Sequence, residues 1–303
     1  MEGLQIEPLW QYVALIFAAF FPCFLAASAG MVIFILREPA LREKPRFLLL
    51  ASQVLADTVF LAASTVNGLV VFSTGEVPLM LCALNFLLVV LSLQAGRLML
   101  GAMALDRYLA IRWPLRYPAL AAPRRVVTTI LGIWGTLGLL VVAYGVSLFS
   151  SQRWSFLLAV QNCTWLDAAP VPYTFRKALV GLCMVAGLGA ILFSYFSIVL
   201  VRSADGALQQ LNLKARRTVL FHGLQMALYI FPGLVHQLLE ILVQHGRLSL
   251  AHVQALGTGS VVVLTLAQCI VPVLYGLRSE EMRVLLQRRL RRVVPVLHRG
   301  AWH

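Results

Sequence analysis

Residues 79–111 read LMLCALNFLLVVLSLQAGRLMLGAMALDRYLAI, with no acidic or basic side chain before Arg97 and none after it until Asp106-Arg107. That run exceeds the roughly 20 apolar residues needed to cross a hydrocarbon core, and it ends on charge, so it reads as a spanning helix. Working outward in both directions, comparable runs fall near 11–36, 47–72, 126–150, 174–201, 218–243 and 250–276, making seven with 79–111. The sixth is diluted by His222, His236 and Gln237, and the seventh by glycine and threonine. Composition agrees with the count. Of 303 residues, 60% are hydrophobic and 12% charged, and the mean hydropathy is +0.84. A soluble globule cannot hide that much apolar surface around one core, and a disordered chain needs the opposite balance. The expected fold is an all-α integral membrane bundle of seven transmembrane helices, forming a single domain over residues 1–303. No repeat, low-complexity linker or loop long enough for a soluble domain interrupts it.

The net charge of +13 would suggest a nucleic-acid partner if it formed one patch. It does not, because the charges lie between the apolar runs, and a lipid bilayer is the partner they fit. Arg37, Arg42, Lys44 and Arg46 fill the first loop, Arg107, Arg112, Arg116, Arg124 and Arg125 the third, and Arg202, Lys214, Arg216 and Arg217 the fifth. Seven more arginines, at 278, 283, 288, 289, 291, 292 and 299, follow the last run. Only Arg153, Arg176, Lys177 and Arg247 fall on the other side, and Arg97 alone lies within a span. The positive-inside rule then places the N-terminus outside and the C-terminus in the cytosol of a multi-pass plasma-membrane protein. Glu2 and Glu7 in place of a basic region, and the length of the first run, argue against a cleaved leader. After the last span, Met282, Leu285, Leu286, Leu290 and Val293 share one helical face with arginines around the other, predicting an interfacial amphipathic helix over about 279–293.

Of the five cysteines, Cys23, Cys183 and Cys269 fall inside apolar helices and read as small buried hydrophobes. Cys82 opens the third span and Cys163 lies in the loop before the fifth, both on the oxidising side, where a bridge or two free thiols are open to them. Asn162-Cys163-Thr164 matches the glycosylation sequon on that same face.

Asp106-Arg107-Tyr108 closes the third span and continues into Leu109-Ala110-Ile111 and Pro114-Leu115-Arg116-Tyr117. Here the chain resembles the rhodopsin-like (class A) G-protein-coupled receptors, and the string from Met103 to Leu115 resembles their olfactory branch. Asp57 matches that family's buried second-span aspartate and Trp134 its fourth-span tryptophan. Ser194-Tyr195 is similar to the olfactory fifth-span signature, and Lys214-Ala215-Arg216-Arg217-Thr218 with His222 to the sixth-span one. Pro232 falls at the sixth-span proline, and Pro272 through Arg278 matches the seventh-span ending. The Lys-Ala-Arg run and the Tyr-Gly-Leu-Arg ending are most similar to odorant receptors of fish. The resemblance implies a Cys82–Cys163 disulfide, a small odorant as ligand, and a heterotrimeric G protein of the Gs or olfactory type as partner. It implies no cofactor. It further implies that Arg107 is the switch, paired with Asp106 at rest and held by Tyr195 and Tyr275 when the sixth helix swings out. Two departures stand out. Met31 and Val271 replace the asparagines that help the aspartate bind sodium, and Ile230, beside Tyr229, replaces the sixth-span aromatic toggle.

Val89, Val90, Leu93 and Gln94 share one face of the third span. Across from them the resemblance sets Leu179, Cys183, Ile230, Gly233, Leu234, Gln237, Val261 and Leu264 as the rest of a ligand pocket. This lining is apolar, with no carboxylate at Val89 to anchor an amine and no seventh-span lysine for a retinal Schiff base, so a small neutral or weakly polar ligand is expected. Arg97 near mid-membrane costs about 2.5–3.5 kcal/mol to insert and requires a partner. Three candidates are Asp57 in place of a sodium cluster, an anionic group on the ligand, or a purely structural pair. A transporter is the reading from another class, but no inverted repeat and few intramembrane charges support it. An enzyme is not expected, since no Ser/His/Asp set and no metal-ligand spacing appears in the helices. A non-olfactory receptor of the same family is the nearer alternative.

Overall fold

Hydrocarbon offers no water to the backbone amides, so a spanning segment must bond its own, and the apolar runs become helices. In the computed structural model, residues 7–74, 77–150, 160–161, 170–204, 227–235, 237–239, 241–243, 245, 250–278, 281–285 and 287–288 are described. The helices are α1 (Glu7–Arg37), α2 (Pro39–Arg42), α3 (Pro45–Thr74), α4 (Leu79–Arg112), α5 (Tyr117–Leu120), α6 (Pro123–Ser150) and α7 (Pro170–Ala204). They are followed by α8, the helical residues within Ala227–Val243, and α9 (Leu250–Arg278). Five of these carry stretches long and apolar enough to cross a membrane, and Ala227–Val243 and Ala255–Ile270 add two shorter apolar helices.

Pro39, Pro45, Pro123 and Pro170 each begin a helix, where the missing amide hydrogen costs nothing and the fixed φ is already helical. Arg37 and Arg112 stand in the last turns of α1 and α4, favourable to the helix dipole and able to reach headgroups. The outward faces are apolar. Leu139 is 75% exposed and Phe196 68%, a surface that suits lipid and would drive a soluble protein to aggregate.

Helix α4 is the axis of the bundle, packed against α3, α6 and α7. Lipid tails are as apolar as leucine, so helices associate in a membrane through close packing of small residues. At the α4–α7 crossing, a side chain on Gly101 would meet Ala190 Cβ at 3.3 Å, and one on Gly187 would meet the Arg97 carbonyl oxygen at 3.1 Å. The core between them is formed by Leu61, Met99, Leu100, Met103, Met184, Ile191, Tyr229 and Leu264. Trp134 Nε1 donates to Ser52 Oγ at 3.0 Å, which pins α6 to α3.

A two-residue antiparallel pairing, β1 (Val77–Pro78) with β2 (Val160–Gln161), brings the loop ahead of α7 to the start of α4. At the other end of the bundle, Glu281 accepts Lys44 Nζ at 2.8 Å on one oxygen and the Arg46 guanidinium on the other. Burial pushes the Glu281 carboxyl up, but those two hydrogen bonds and positive charges outweigh it and hold the group below its ordinary value. In the tail, Met282 of the expected apolar face turns toward the bundle. It is buried against Ile35, Leu41 and Phe47, with Leu285 packed beside it, because the Glu281 ion pairs draw the first turn onto α2 and α3.

The α4–α7 crossing generates a test. Gly187→Ala removes a glycine yet forces the helices apart, and overpacking of this kind costs about 1–3 kcal/mol. Gly189, one face away, has open space within 4 Å of the point where a side-chain carbon would stand, so Gly189→Ala gains up to about 1 kcal/mol of helix propensity. Thermal unfolding of the purified protein is expected to fall several degrees for the first and to hold or rise for the second.

Candidate functional site

Between the β1 ends of α4, α7, α8 and α9 lies a cavity of about 240 Å³. Val89, Val90, Leu93 and Gln94 on α4, Gly233 and Gln237 on α8, and Val261 and Leu264 on α9 line it. Four residues assigned to this pocket from the sequence lie elsewhere. Leu179 and Cys183 are buried against Val90, Leu137 and Val141 in the seam between α4, α6 and α7. Ile230 is buried in the central core, and Leu234 is 41% exposed on the outer side of α8. The reason is helical phase. On α7 the residues that face the cavity are Arg176, Lys177 and Val180, spaced i, i+1 and i+4, which rotates Leu179 and Cys183 onto the neighbouring face.

Phe60, Phe86, Arg97, Pro232 and Ser260 complete the wall. Sequence reading missed Arg176 and Lys177 as pocket residues because it placed them at the membrane boundary. The Arg176 guanidinium lies over the Phe86 ring, 5.5 Å from its centroid, a cation–π contact that folds the charge inward. Arg97 is 7% exposed, and its Nη1 donates to Gln94 Oε1 at 2.7 Å.

Asp57 is not Arg97's partner. Its Oδ1 accepts from Tyr229 Oη at 3.1 Å, from Gln268 Nε2 at 3.1 Å and from Gln53 Nε2 at 3.2 Å, so one atom ties α3, α8 and α9 together. Oδ2 has no hydrogen-bond partner. The loss of two asparagines hid this net. Gly96 on α4 makes room for it, since a side chain there would collide with the Tyr229 hydroxyl. No group of three His, Cys, Asp or Glu residues suited to a metal occurs among the described residues.

At the far end of α4, Asp106 is buried and accepts from Tyr117 Oη at 2.8 Å. Burial and the adjacent Asp106 carboxylate push the Tyr117 phenol well above its ordinary range, so it remains a donor at any physiological pH. Among the described residues no ion pair within 4 Å joins Asp106 to Arg107, although the two charges act on each other electrostatically, and the hydrogen bond Asp106 makes is to Tyr117. The short helix α5 is responsible, because it turns Tyr117 back under α4. Tyr108 packs edge-on against Trp113 and Phe193, with centroids 5.8 and 5.2 Å away. Tyr195 is partly buried beside the central core.

Cys82 is buried and disulfide-bonded, while Cys23, Cys183 and Cys269 are free. Cys163, Asn162, the run 214–218, His222 and the Tyr275 side chain lie outside the described residues.

The arrangement has known counterparts. Residues 28–275 match the 7 transmembrane receptor (rhodopsin family). The galanin receptor type 2 of Rattus norvegicus is 26% identical over 90% of this chain and 75% of its own length. The human olfactory receptor 11A1 is 28% identical over 64% of this chain and 67% of its own. The odorant receptor 131-2 of Danio rerio is 25% identical over 60% and 56% respectively. A multi-pass helix bundle, an Asp-Arg-Tyr end and a match over most of its length place the chain in the rhodopsin family of seven-transmembrane signalling receptors, with odorant receptors, one from fish, among its relatives.

Proposed function

We propose that the chain is a plasma-membrane chemosensory receptor of the odorant kind, which binds a small molecule in the β1-end cavity and activates a heterotrimeric G protein at the Arg107 end. The observation that carries this reading is that cavity and tripeptide stand at opposite ends of one helix. Arg97 and Asp106 are about 14 Å apart along α4 at the helical rise per residue. The arginine-rich loops and tail set the Arg107 end in the cytosol and the cavity outside.

A ligand acts by binding one arrangement of the bundle better than the other. At rest Tyr117 holds Asp106 and keeps the third-helix end closed. In the active arrangement Arg107 turns toward Tyr195 and Tyr275 as α8 moves about Pro232, which lacks an amide donor and weakens the helix there. Gs or its olfactory counterpart is the partner on the strength of the odorant relatives. Cys82 bonds Cys163, the remaining cysteine, and the β1–β2 pairing supports this by carrying that loop to the head of α4. A non-olfactory receptor of the same family is the second reading, supported by the likeness to the galanin receptor over 90% of the chain. The modest cavity favours a small ligand over a peptide.

Cells expressing the chain and exposed to mixed amino acids, amines, bile acids and small volatiles are expected to raise cyclic AMP. Arg107→Ala is expected to abolish the response at equal surface expression; an undiminished response would remove Arg107 from the switch. Tyr117→Phe deletes one hydrogen bond to a carboxylate, worth about 1.5–3 kcal/mol, and is expected to raise ligand-free signalling several-fold by favouring the open state. Cys82→Ser and Cys163→Ser are expected to lower surface expression equally, and their double variant no further, as read by flow cytometry.

A further inference from the structure

We infer that the cavity takes a small organic anion, a carboxylate on a short apolar or aromatic body, whose charged group pairs with Arg97. The inference deepens the receptor reading and rests on the cavity being its ligand site. A guanidinium carries five donors. In Arg97 one Nη1 bond reaches Gln94, Nε has no acceptor although it is buried, and no ion pair to a carboxylate exists among the described residues. Asp57, the obvious counter-charge, gives one oxygen to Tyr229, Gln268 and Gln53 instead. A buried cation with unused donors is therefore aimed at an open space.

The space fits an anion on three further counts. Gly233 faces the guanidinium, and a side chain there would lie 2.8 Å from Arg97 Nη2, so the absence of one leaves the charge accessible. Arg176 and Lys177, each of which also has a partner of its own, line the same wall, and no described lining residue is acidic. The remaining surface, with Phe60, Leu93 and Leu264, is apolar and matches a hydrocarbon body. The volume of about 240 Å³ equals about eight waters at ~30 Å³ each, which suits a short fatty or aromatic acid and not a bile acid or peptide.

The full chain, purified in an uncharged maltoside detergent, would be melted with hexanoate or benzoate, with hexanamide or benzamide, and with hexylamine or benzylamine. The acids are expected to raise the melting temperature in a saturable way while the amides and amines do not. Arg97→Gln is expected to weaken the acid effect at least ~10-fold, the scale of a charge-assisted bond. Should that variant not fold, Gly233→Ala, which crowds the guanidinium without removing it, is expected to weaken the acids in the same direction. Equal shifts from acids and amides, no shift from either acid, or full acid binding in the folded variants would overturn the inference. Because binding is read without a G protein, the two readings fail separately. Acid-selective shifts without any second-messenger response would sink the receptor mechanism alone, and an Arg107-dependent response confined to neutral ligands would sink the anion site alone.

Discussion

One carboxylate oxygen organises the middle of this protein. Asp57 Oδ1 receives hydrogen bonds from Gln53 on its own helix, from Tyr229 on α8 and from Gln268 on α9. Polar contacts between membrane helices average only about 0.6 kcal/mol each, so the net contributes geometry more than bulk stability. Its consequence is that α3, α8 and α9 cannot slide independently: any shift of one leaves a buried donor or a buried charge unsatisfied. Gly96 is part of the same device, since only a residue without a side chain lets the Tyr229 hydroxyl pass α4 to reach the carboxylate.

With the middle fixed, the two ends differ in how they are closed. The Asp106 end is sealed by polar bonds from surface elements: Tyr117 of α5 under α4, and Lys44 and Arg46 on Glu281. Tyr117 sits on a short helix and Glu281 on the tail, while Arg46 belongs to the first turn of the spanning helix α3. The β1 end instead holds a cavity walled by side chains of four spanning helices, and a two-residue strand pairing stands at the same end.

The sequence made the helical membrane architecture legible because a lipid-facing helix must be apolar over its whole length, and the run 79–111 declares this without any partner. Asp106-Arg107-Tyr108 was legible as a string but not in its bonding, since Tyr117 reaches Asp106 only through the turn that α5 imposes. The Asp57 net was invisible for a related reason. Glutamine at 53 and 268 and tyrosine at 229 are polar residues far apart in the chain, and nothing local says that they converge. The cavity was half legible: periodicity on α4 gave the right face, whereas on α7 the choice between Leu179 and Val180 depends on a rotation set by glycine contacts with α4. Arg176 and Lys177 counted only as basic residues of the outer side, and Arg176 lies over the Phe86 ring at the cavity wall.

Arg97 joins these levels. Its backbone carbonyl is the atom that Gly187 of α7 packs against, and its guanidinium lies close beside Gly233 of α8 at the cavity wall. A single residue of α4 thus sets the spacing of two other helices, and its side chain is held by Gln94 from its own helix, not by either neighbour. A counter-charge arriving at that guanidinium would pull on a residue already in contact with α8 and itself part of the α4–α7 crossing. The charge that is expensive to bury in the absence of a partner is therefore placed where acquiring one has the greatest leverage on helix packing.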